Sequence, residues 1–360
     1  MKIAQVAPLY ESVPPRLYGG TERMVSYLTE EFVRQGHDVT LFASGDSITK
    51  AKLRPICERA LRLEGRNVID PLAHHVRMLE IVAQDSDQFD VVHFHIDYLH
   101  FPVTRRQRIA AVTTLHGRLD IPEVMPIYRE FRDMNLVSIS NAQRAPLSWA
   151  NWVATVYHGL PEDLYKPQER HGSYLAFLGR ISPEKRVDRA IEIARRVDMP
   201  IRIAAKIDPV DKEYFDSHIR KLFEDPLVEY IGEIGEREKQ EFLGNAYALL
   251  FPIDWPEPFG LVMIEAMACG TPVVAYRMGS VPEVLQEGVT GYLVENLEEA
   301  AKAVHRISAL DRRICRRVFE KRFSVRRMCL DYLDVYSRVR DQAPPEPDLT
   351  RTRDPLSIAA

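Results

Sequence analysis

The chain has 360 residues, 46% hydrophobic and 28% charged, with a formal net charge of -4. That size and balance fit a soluble globular protein of two domains, each able to bury a core. The charge speaks against a nucleic-acid partner, which would need a strongly basic stripe, and no apolar run approaches the length of a membrane span.

The N-terminus, MKIAQVAPLY, enters a strand pattern with no signal-peptide pattern before it. Cys57, Cys269, Cys315 and Cys329 are scattered without a CxxC pair, and both features fit a reducing cytoplasm. Residues 2–7 read as a buried strand, followed by the loop PLYESVPPRLYGG, a helix over 21–34 with Thr21 as N-cap, and a strand over 39–43. The order is Rossmann-like, but the turn is long, proline-rich and not GxGxxG. The dinucleotide fingerprint is missing, which disfavours a redox cofactor. Gly19 and Gly20 in that turn serve either as turn chemistry or as a ligand cradle.

Residues 90–96, DVVHFHI, read as a strand with His93 and His95 on one face. A metal site with Asp97 and His100 is one reading. The spacing is generic, and both histidines read better as satisfied core or cleft residues. A strand over 111–115 ends at His116-Gly117, where an imidazole can exchange a proton near neutral pH. Strands over 136–139 and 153–157 complete the first sheet. The polar, proline-punctuated stretch HGLPEDLYKPQERHG then reads as an interdomain linker.

A strand over 174–178 leads into GRISPEKR. Ser182 as N-cap and Pro183 at the first helical position predict a helix start with Lys185 in its first turn. A cation there opposes the macrodipole by about 0.3–1 kcal/mol, so an anion is expected to offset it. Arg180 adds a second donor, and the two suit a diphosphate; a solvated basic turn is the alternative.

Strands over 201–205 and 228–231 follow, the second running into Gly232-Glu233-Ile234. A strand over 247–251 precedes EPFGLVMIEAM, residues 257–267, which opens a helix ending near Gly270 before a strand over 272–276. Ligands gather outside the carboxyl ends of such strands, where helix N-termini offer unpaired N–H groups to an anion. The amides of Phe259, Gly260 and Leu261 stand at such a point, and Gly260 has no Cβ to block approach. Glu257 and Glu265 are repelled by a phosphate. As acceptors they suit hydroxyls, a ribose diol on one side and a sugar on the other, with capping and solvated ion pairing as the alternatives. GSVPEV and EGVTGYLV supply a further turn and strand. From about residue 297 the pattern is helical and gathers Arg312, Arg313, Arg316, Arg317, Lys321 and Arg322, either a peripheral membrane contact or a solvated face. Residues 341–360 are proline-rich and expected to be disordered.

Taken together, these motifs resemble the family-4 retaining glycosyltransferases. Two glutamates eight positions apart around Gly260, followed by EAMACGTPVVAY, look like that family's donor-site signature. The resemblance runs from Lys2 to about Tyr336. It implies an α/β protein of GT-B fold, two Rossmann-like domains facing each other across a cleft. Residues 1–160 would be the acceptor side, 161–172 a linker, 173–325 the donor-binding domain, 326–340 a helix crossing back, and 341–360 the tail. The implied reaction is transfer of a hexosyl group, with retention, from a UDP- or GDP-linked sugar to an unidentified acceptor, a small molecule, a glycan or a lipid-linked species. No metal and no cofactor beyond the nucleotide-diphosphate sugar is implied.

On the same resemblance His116, Arg180, Lys185 and Glu257 form the catalytic set. Arg180 and Lys185 hold the diphosphate with the amides of Phe259, Gly260 and Leu261, and Gly19 and Gly20 face it. The backbone at Gly232 and Ile234 reads the base, Glu265 holds the ribose, Glu257 the sugar hydroxyls, and His116 orients sugar or acceptor. Arg118, Asp120 and Tyr128 are expected on the acceptor side. Where the family commonly shows Asn-Gly-Val, this chain has His158-Gly159-Leu160. Alternatives are another GT-B sugar-nucleotide chemistry, such as epimerisation or phosphorolysis, and a non-catalytic nucleotide-sugar-binding protein.

Overall fold

Two parallel sheets organise the chain. The structure is a computed structural model and describes residues 1–16, 19–62, 68–107 and 109–342. The first sheet holds β1 (Lys2–Val6), β2 (Asp38–Ala43), β3 (Lys52–Pro55), β4 (Val91–Phe94), β5 (Ala111–Thr114), β6 (Leu136–Ser138) and β7 (Trp152–Thr155), in the order β3-β2-β1-β4-β5-β6-β7. The second holds β8 (Leu175–Arg180), β9 (Ile201–Lys206), β10 (Val228–Gly232), β11 (Ala248–Phe251), β12 (Val273–Tyr276) and β13 (Gly291–Val294), in the order β10-β9-β8-β11-β12-β13. All pairings within both sheets are parallel. Central strands such as VVHF and ALLF are buried along their whole length, as sheets covered by helices on both faces require.

In each sheet the strand order reverses beside the first strand, between β1 and β4 and between β8 and β11. A crevice opens at the carboxyl ends of strands at such a switch point. The two crevices face each other, and the halves also share a core. One apolar cluster contains Met24 and Ile139 of the first half with Phe251, Phe259 and Met263 of the second.

The chain passes between the halves twice, and the two passages are bonded together. Leu160 N donates to Phe323 O at 2.9 Å, and Val325 N donates to Leu160 O at 2.8 Å. A Cβ on Gly159 would lie 2.4 Å from the Ser324 carbonyl oxygen, so only glycine fits there. The last helix, Val325–Gln342, then packs against the Gly20–Arg34 helix, and buries Tyr332 and Tyr336 with Phe32. The tail expected over 341–360 lies, from residue 343 onward, outside the described residues.

Three local expectations are corrected. The first helix begins at Gly20 with Gly19 at its N-cap, so Thr21 lies inside the first turn and caps nothing. The helix expected from Ser182 starts instead at Val187, with Arg186 left-handed at the N-cap (φ 54°). Residues 181–186 form a turn held from outside: Asp254 N donates to Glu184 O at 2.8 Å, and Arg186 pairs with both Asp188 and Asp254 at 2.8 Å. Lys185 therefore does not oppose a helix dipole. The third correction concerns the basic run in the Arg312–Phe323 helix, half of which turns inward. Arg312, only 2% exposed, donates to the carbonyls of Gln168, Ala246 and Gly244 and to Thr271 Oγ1. Arg316 binds the carbonyls of Tyr165, Ala268 and Glu162, and Arg322 those of Val284 and Glu283. These three guanidiniums close off orphan carbonyls at loop and helix ends. No helix among the described residues is long and apolar enough to cross a membrane.

Candidate active site

A cleft of about 820 Å³ lies between the halves at the carboxyl ends of both sheets. From the first half Gly19, Gly20 and His116 reach its wall; from the second come Arg180, Lys185, Glu257, Phe259, Gly260 and Leu261. The halves are close here. A Cβ on Gly20 would sit 3.6 Å from Leu261 Cδ1.

The second half's wall is built at the N-terminus of the Leu261–Ala268 helix. Its N-cap, Gly260, is left-handed at φ 80°, and a Cβ there would lie 2.7 Å from Met263 Cε and 3.2 Å from the Phe251 ring. Glycine is required by backbone and space together. Gly260, Leu261 and Val262 at the start of this helix line the cleft, and so does Lys185, from the turn after β8. Its Nζ is ion-paired with the Glu257 carboxylate and lies 4.9 Å from the centre of the Trp255 ring. Trp255 Nε1 donates to the same carboxylate at 2.9 Å. Arg180, at the end of β8, donates to Glu184 at 2.6 Å and lies 3.2 Å from Asp211. Each cation of the clamp is thus held by a carboxylate with which an incoming anion would compete.

Glu265, Gly232 and Ile234 are not among the described residues that line the cleft. Glu265 is 3% exposed and pairs with Lys239 at 2.7 Å. Lys239 lies 3.6 Å from Glu236, which Arg23 of the first half meets at 2.8 Å. Gly232 ends β10, the edge strand of its sheet and two strands from the switch point. Ile234 packs against the shared apolar cluster.

On the first half, β4 and β5 deliver the histidines. His93 and His95 are buried and fully engaged: His93 bonds Tyr336 OH at 2.6 Å and Thr114 Oγ1 at 2.7 Å, and His95 bonds Gln5 Oε1 and His116 Nε2, both at 2.9 Å. No cluster of three His, Cys, Asp or Glu side chains suited to a metal ion occurs among the described residues. Burial pushes the His116 imidazole down to about 3, so it stays neutral. His158, at the family's Asn position, stacks on it with ring centres 5.3 Å apart and planes 13° from parallel, and meets Phe259 edge-on at 5.0 Å. Asp97, left-handed at φ 52°, also lines the cleft, and burial raises its carboxyl to about 6.

Arg118 carries an ion pair with Asp120 at 2.9 Å and lies 5.8 Å from the Trp255 ring centre, reaching across to the second half. Tyr128, expected on the acceptor side, is instead a core residue. The Met125–Glu130 helix turns it inward against Tyr98 and Phe101. Sequence reasoning missed Trp255, although it stands two residues before Glu257. It also missed Lys239, whose partner Glu265 is brought to it only by the fold.

Known proteins match this architecture. Residues 18–191 match the model described as Glycosyltransferase Family 4, and residues 166–322 the one described as Glycosyl transferases group 1. A D-inositol 3-phosphate glycosyltransferase of Mycobacterium leprae is 31% identical over 199 residues, 49% of this chain and 43% of that protein. The chain thus spans less than half the length of that relative. AviGT4, a glycosyltransferase involved in avilamycin A biosynthesis, has a TM-score of 0.71 at 23% identity, covering 95% of this chain and 99% of its own. HepE of Anabaena, solved in complex with UDP-glucose, has a TM-score of 0.71 at 16% identity, covering 94% and 100%. At these identities the structural likeness is one of fold, and that fold is GT-B.

Proposed function

With residues 18–322 covered by its two models, the chain belongs to the family 4 glycosyltransferases, and we propose that it moves a hexosyl group from a UDP- or GDP-linked sugar to an acceptor hydroxyl, with retention. The observation that carries this reading is the Lys185–Glu257 ion pair at the N-terminus of the Leu261–Ala268 helix, facing Gly19 and Gly20. A diphosphate entering there competes for Lys185. The exchange gives the phosphate its cation and leaves the Glu257 carboxylate to accept from sugar hydroxyls. In this reading Glu265 would take the ribose diol and the backbone at Gly232 and Ile234 the base; none of the three is among the described residues that line the cleft, so the donor would have to reach past that wall and displace Lys239 from Glu265.

In the reaction the bond from the anomeric carbon to the diphosphate oxygen breaks. Arg180, Lys185 and the helix amides stabilise the charge that develops on the leaving group, commonly the largest single contribution to such catalysis. The acceptor oxygen bonds to the same face, and its proton passes to the departing phosphate oxygen. His116 orients the sugar or the acceptor. The positive charge the reaction needs comes from these side chains and amides, so the reading requires no metal.

The UDP-glucose complex of HepE makes UDP-hexoses the first donors to try. The protein is incubated with α-linked UDP- and GDP-hexoses and the mixture followed by NMR. Nucleoside diphosphate released with an α-configured sugar product supports the proposal. A β-configured product contradicts retention. An epimerised donor or a sugar 1-phosphate points to the other GT-B chemistries, and binding without turnover points to a sensor.

A further inference from the structure

GSVPEV, residues 279–284, follows β12 and holds the loop that carries Glu257 and Phe259. Ser280 N donates to Glu257 O at 3.0 Å, and Ser280 Oγ, fully buried, donates to Phe259 O at 2.9 Å. Gly279 packs on the same loop. A Cβ there, already disfavoured by φ 52°, would lie 2.5 Å from both Glu257 N and Glu257 O. One turn further, in the short helix Val281–Val284, Glu283 reaches the first half. Its carboxylate accepts from Asn141 N at 2.7 Å, Ala142 N at 2.6 Å and Tyr157 OH at 3.0 Å.

Asn141 and Ala142 lead directly into Gln143, which is 6% exposed. Its Oε1 accepts from Ile139 N at 2.9 Å, and its Nε2 donates to Leu115 O at 2.8 Å and to Gly117 O at 2.9 Å. All three partners are backbone groups, so the amide has one orientation: turning it would set donor against donor and acceptor against acceptor. Leu115 and Gly117 flank His116. An unbroken series of contacts thus joins the Glu257 loop of one half to the His116 turn of the other.

We propose that Ser280, Glu283 and Gln143 are positioning residues for sugar transfer, a hydrogen-bonded bridge that fixes the spacing between the Glu257 loop and the His116 turn. None of the three is among the described residues that line the cleft; they act through the residues they hold. Donor sugar and acceptor oxygen must meet between walls carried by different halves, and a misplacement of about 1 Å can cost on the order of a hundredfold in rate. That the spacing serves transfer rests on the transferase reading; the bridge does not.

Backbone hydrogen exchange of the full chain, followed by mass spectrometry, reads whether a break at one end is felt at the other. Gln143→Met cuts the bridge in the first half, Ser280→Ala in the second, and Glu283→Ala where it crosses. Measured against the buried strands β4 and β11, Gln143→Met is expected to quicken exchange over residues 257–261, and Ser280→Ala over 115–118, by about fivefold. Glu283→Ala is expected to quicken both segments. Arg312→Ala, destabilising but off the bridge, is expected to quicken neither. Changes confined to each variant's own half, in both Gln143→Met and Ser280→Ala, overturn the bridge, as does the same quickening of both segments in Arg312→Ala. Should Gln143→Met fail to fold, Glu283→Ala decides, and exchange altered only over 139–143 and 279–284 is the overturning result. Once a donor and acceptor are in hand, Glu283→Ala is expected to lower kcat about tenfold with the nucleotide Kd within about twofold. Ser280→Ala and Gln143→Met combined are expected to lose no more than the larger single loss, since a bridge cut once has nothing further to give. Quickened exchange with wild-type kcat would overturn the bridge's part in transfer. Absence of turnover in the wild type would count against the transferase reading, with the exchange result still deciding the bridge.

Discussion

Lys185 and Glu257 close on one another from the ends of β8 and β11, the two strands that flank the reversal in the second sheet. Each carries the charge the other's ligand would need: the ammonium suits a phosphate, the carboxylate a hydroxyl. Trp255 holds the pair from the side, donating to Glu257 and lying under the Lys185 ammonium.

This pairing predicts opposite defects for the two residues. Glu257→Gln leaves Lys185 free for the diphosphate, so nucleotide affinity is expected to hold or rise while turnover falls by about tenfold or more, since losing one oriented hydrogen bond to the reacting sugar acts on the transition state. Titration calorimetry with UDP or GDP, beside donor-consumption kinetics, checks it. Equal losses of nucleotide binding in Glu257→Gln and Lys185→Ala would contradict the exchange.

Glu283 of the second half accepts from Asn141 N at 2.7 Å, Ala142 N at 2.6 Å and Tyr157 OH at 3.0 Å, all in the first half. Glu283→Ala leaves those donors without their acceptor. A loss of about 1–3 kcal/mol is expected, read as a lower urea midpoint, with the far-ultraviolet dichroism of the native state unchanged.

Arg312 and its neighbour Arg313 separate structural from solvated charge. Arg312→Ala strands the carbonyls of Gln168, Gly244 and Ala246 and is expected to cost about 3 kcal/mol or more, since each buried acceptor left without a donor costs about 1–3 kcal/mol. The Arg313 side chain is 65% exposed and pairs with Asp311, two positions earlier, at 3.1 Å; Arg313→Ala is expected to stay within about 0.5 kcal/mol. Denaturant titration of the two variants checks the contrast.

Acid should unfold the protein from near neutral pH. Burial lowers the proton affinity of His93, His95, His100 and His158 far below the ordinary 6.5, and of His116 to about 3. Below 6.5 the unfolded chain binds protons that the folded chain refuses. The stability is thus fully present above 6.5 and is lost as pH falls, each histidine contributing up to about 1.4 kcal/mol per pH unit. Asp97, raised to about 6, works in the opposite sense down to its ordinary 3.8, as do Glu22, Asp211 and Glu236, whose carboxyls burial also raises, while His37, His75 and His171, lowered by burial, add to the loss in acid. Thermal unfolding between pH 8 and 4 checks the sign, and His116→Gln is expected to flatten the slope.

The sequence made the architecture legible because it rests on local signals. Apolar runs such as VVHF and ALLF, separated by helical periodicity, announce buried parallel strands, and the order of motifs placed the two crevices. The strand Lys52–Pro55 escaped because it is an edge, mostly exposed, with no apolar run to betray it. At Ser182-Pro183 the capping signal is present, but bonds from Asp254 and the Arg186 pairs override it. Nothing near Arg312 in sequence tells that its guanidinium meets carbonyls of residues 168, 244 and 246. Likewise nothing near Gln5 points to Tyr336, 331 positions away.

The measurement that bears most directly on the central claim is the melting temperature of the wild type and of Lys185→Ala with UDP, GDP, ADP and their sugar conjugates. A nucleotide at a hundred times its dissociation constant adds about 2.7 kcal/mol of stability. One nucleotide is expected to raise the wild-type melting temperature and to raise that of Lys185→Ala much less. No stabilisation by any of them at millimolar concentration, or an equal rise in both proteins, would contradict a diphosphate site at Lys185.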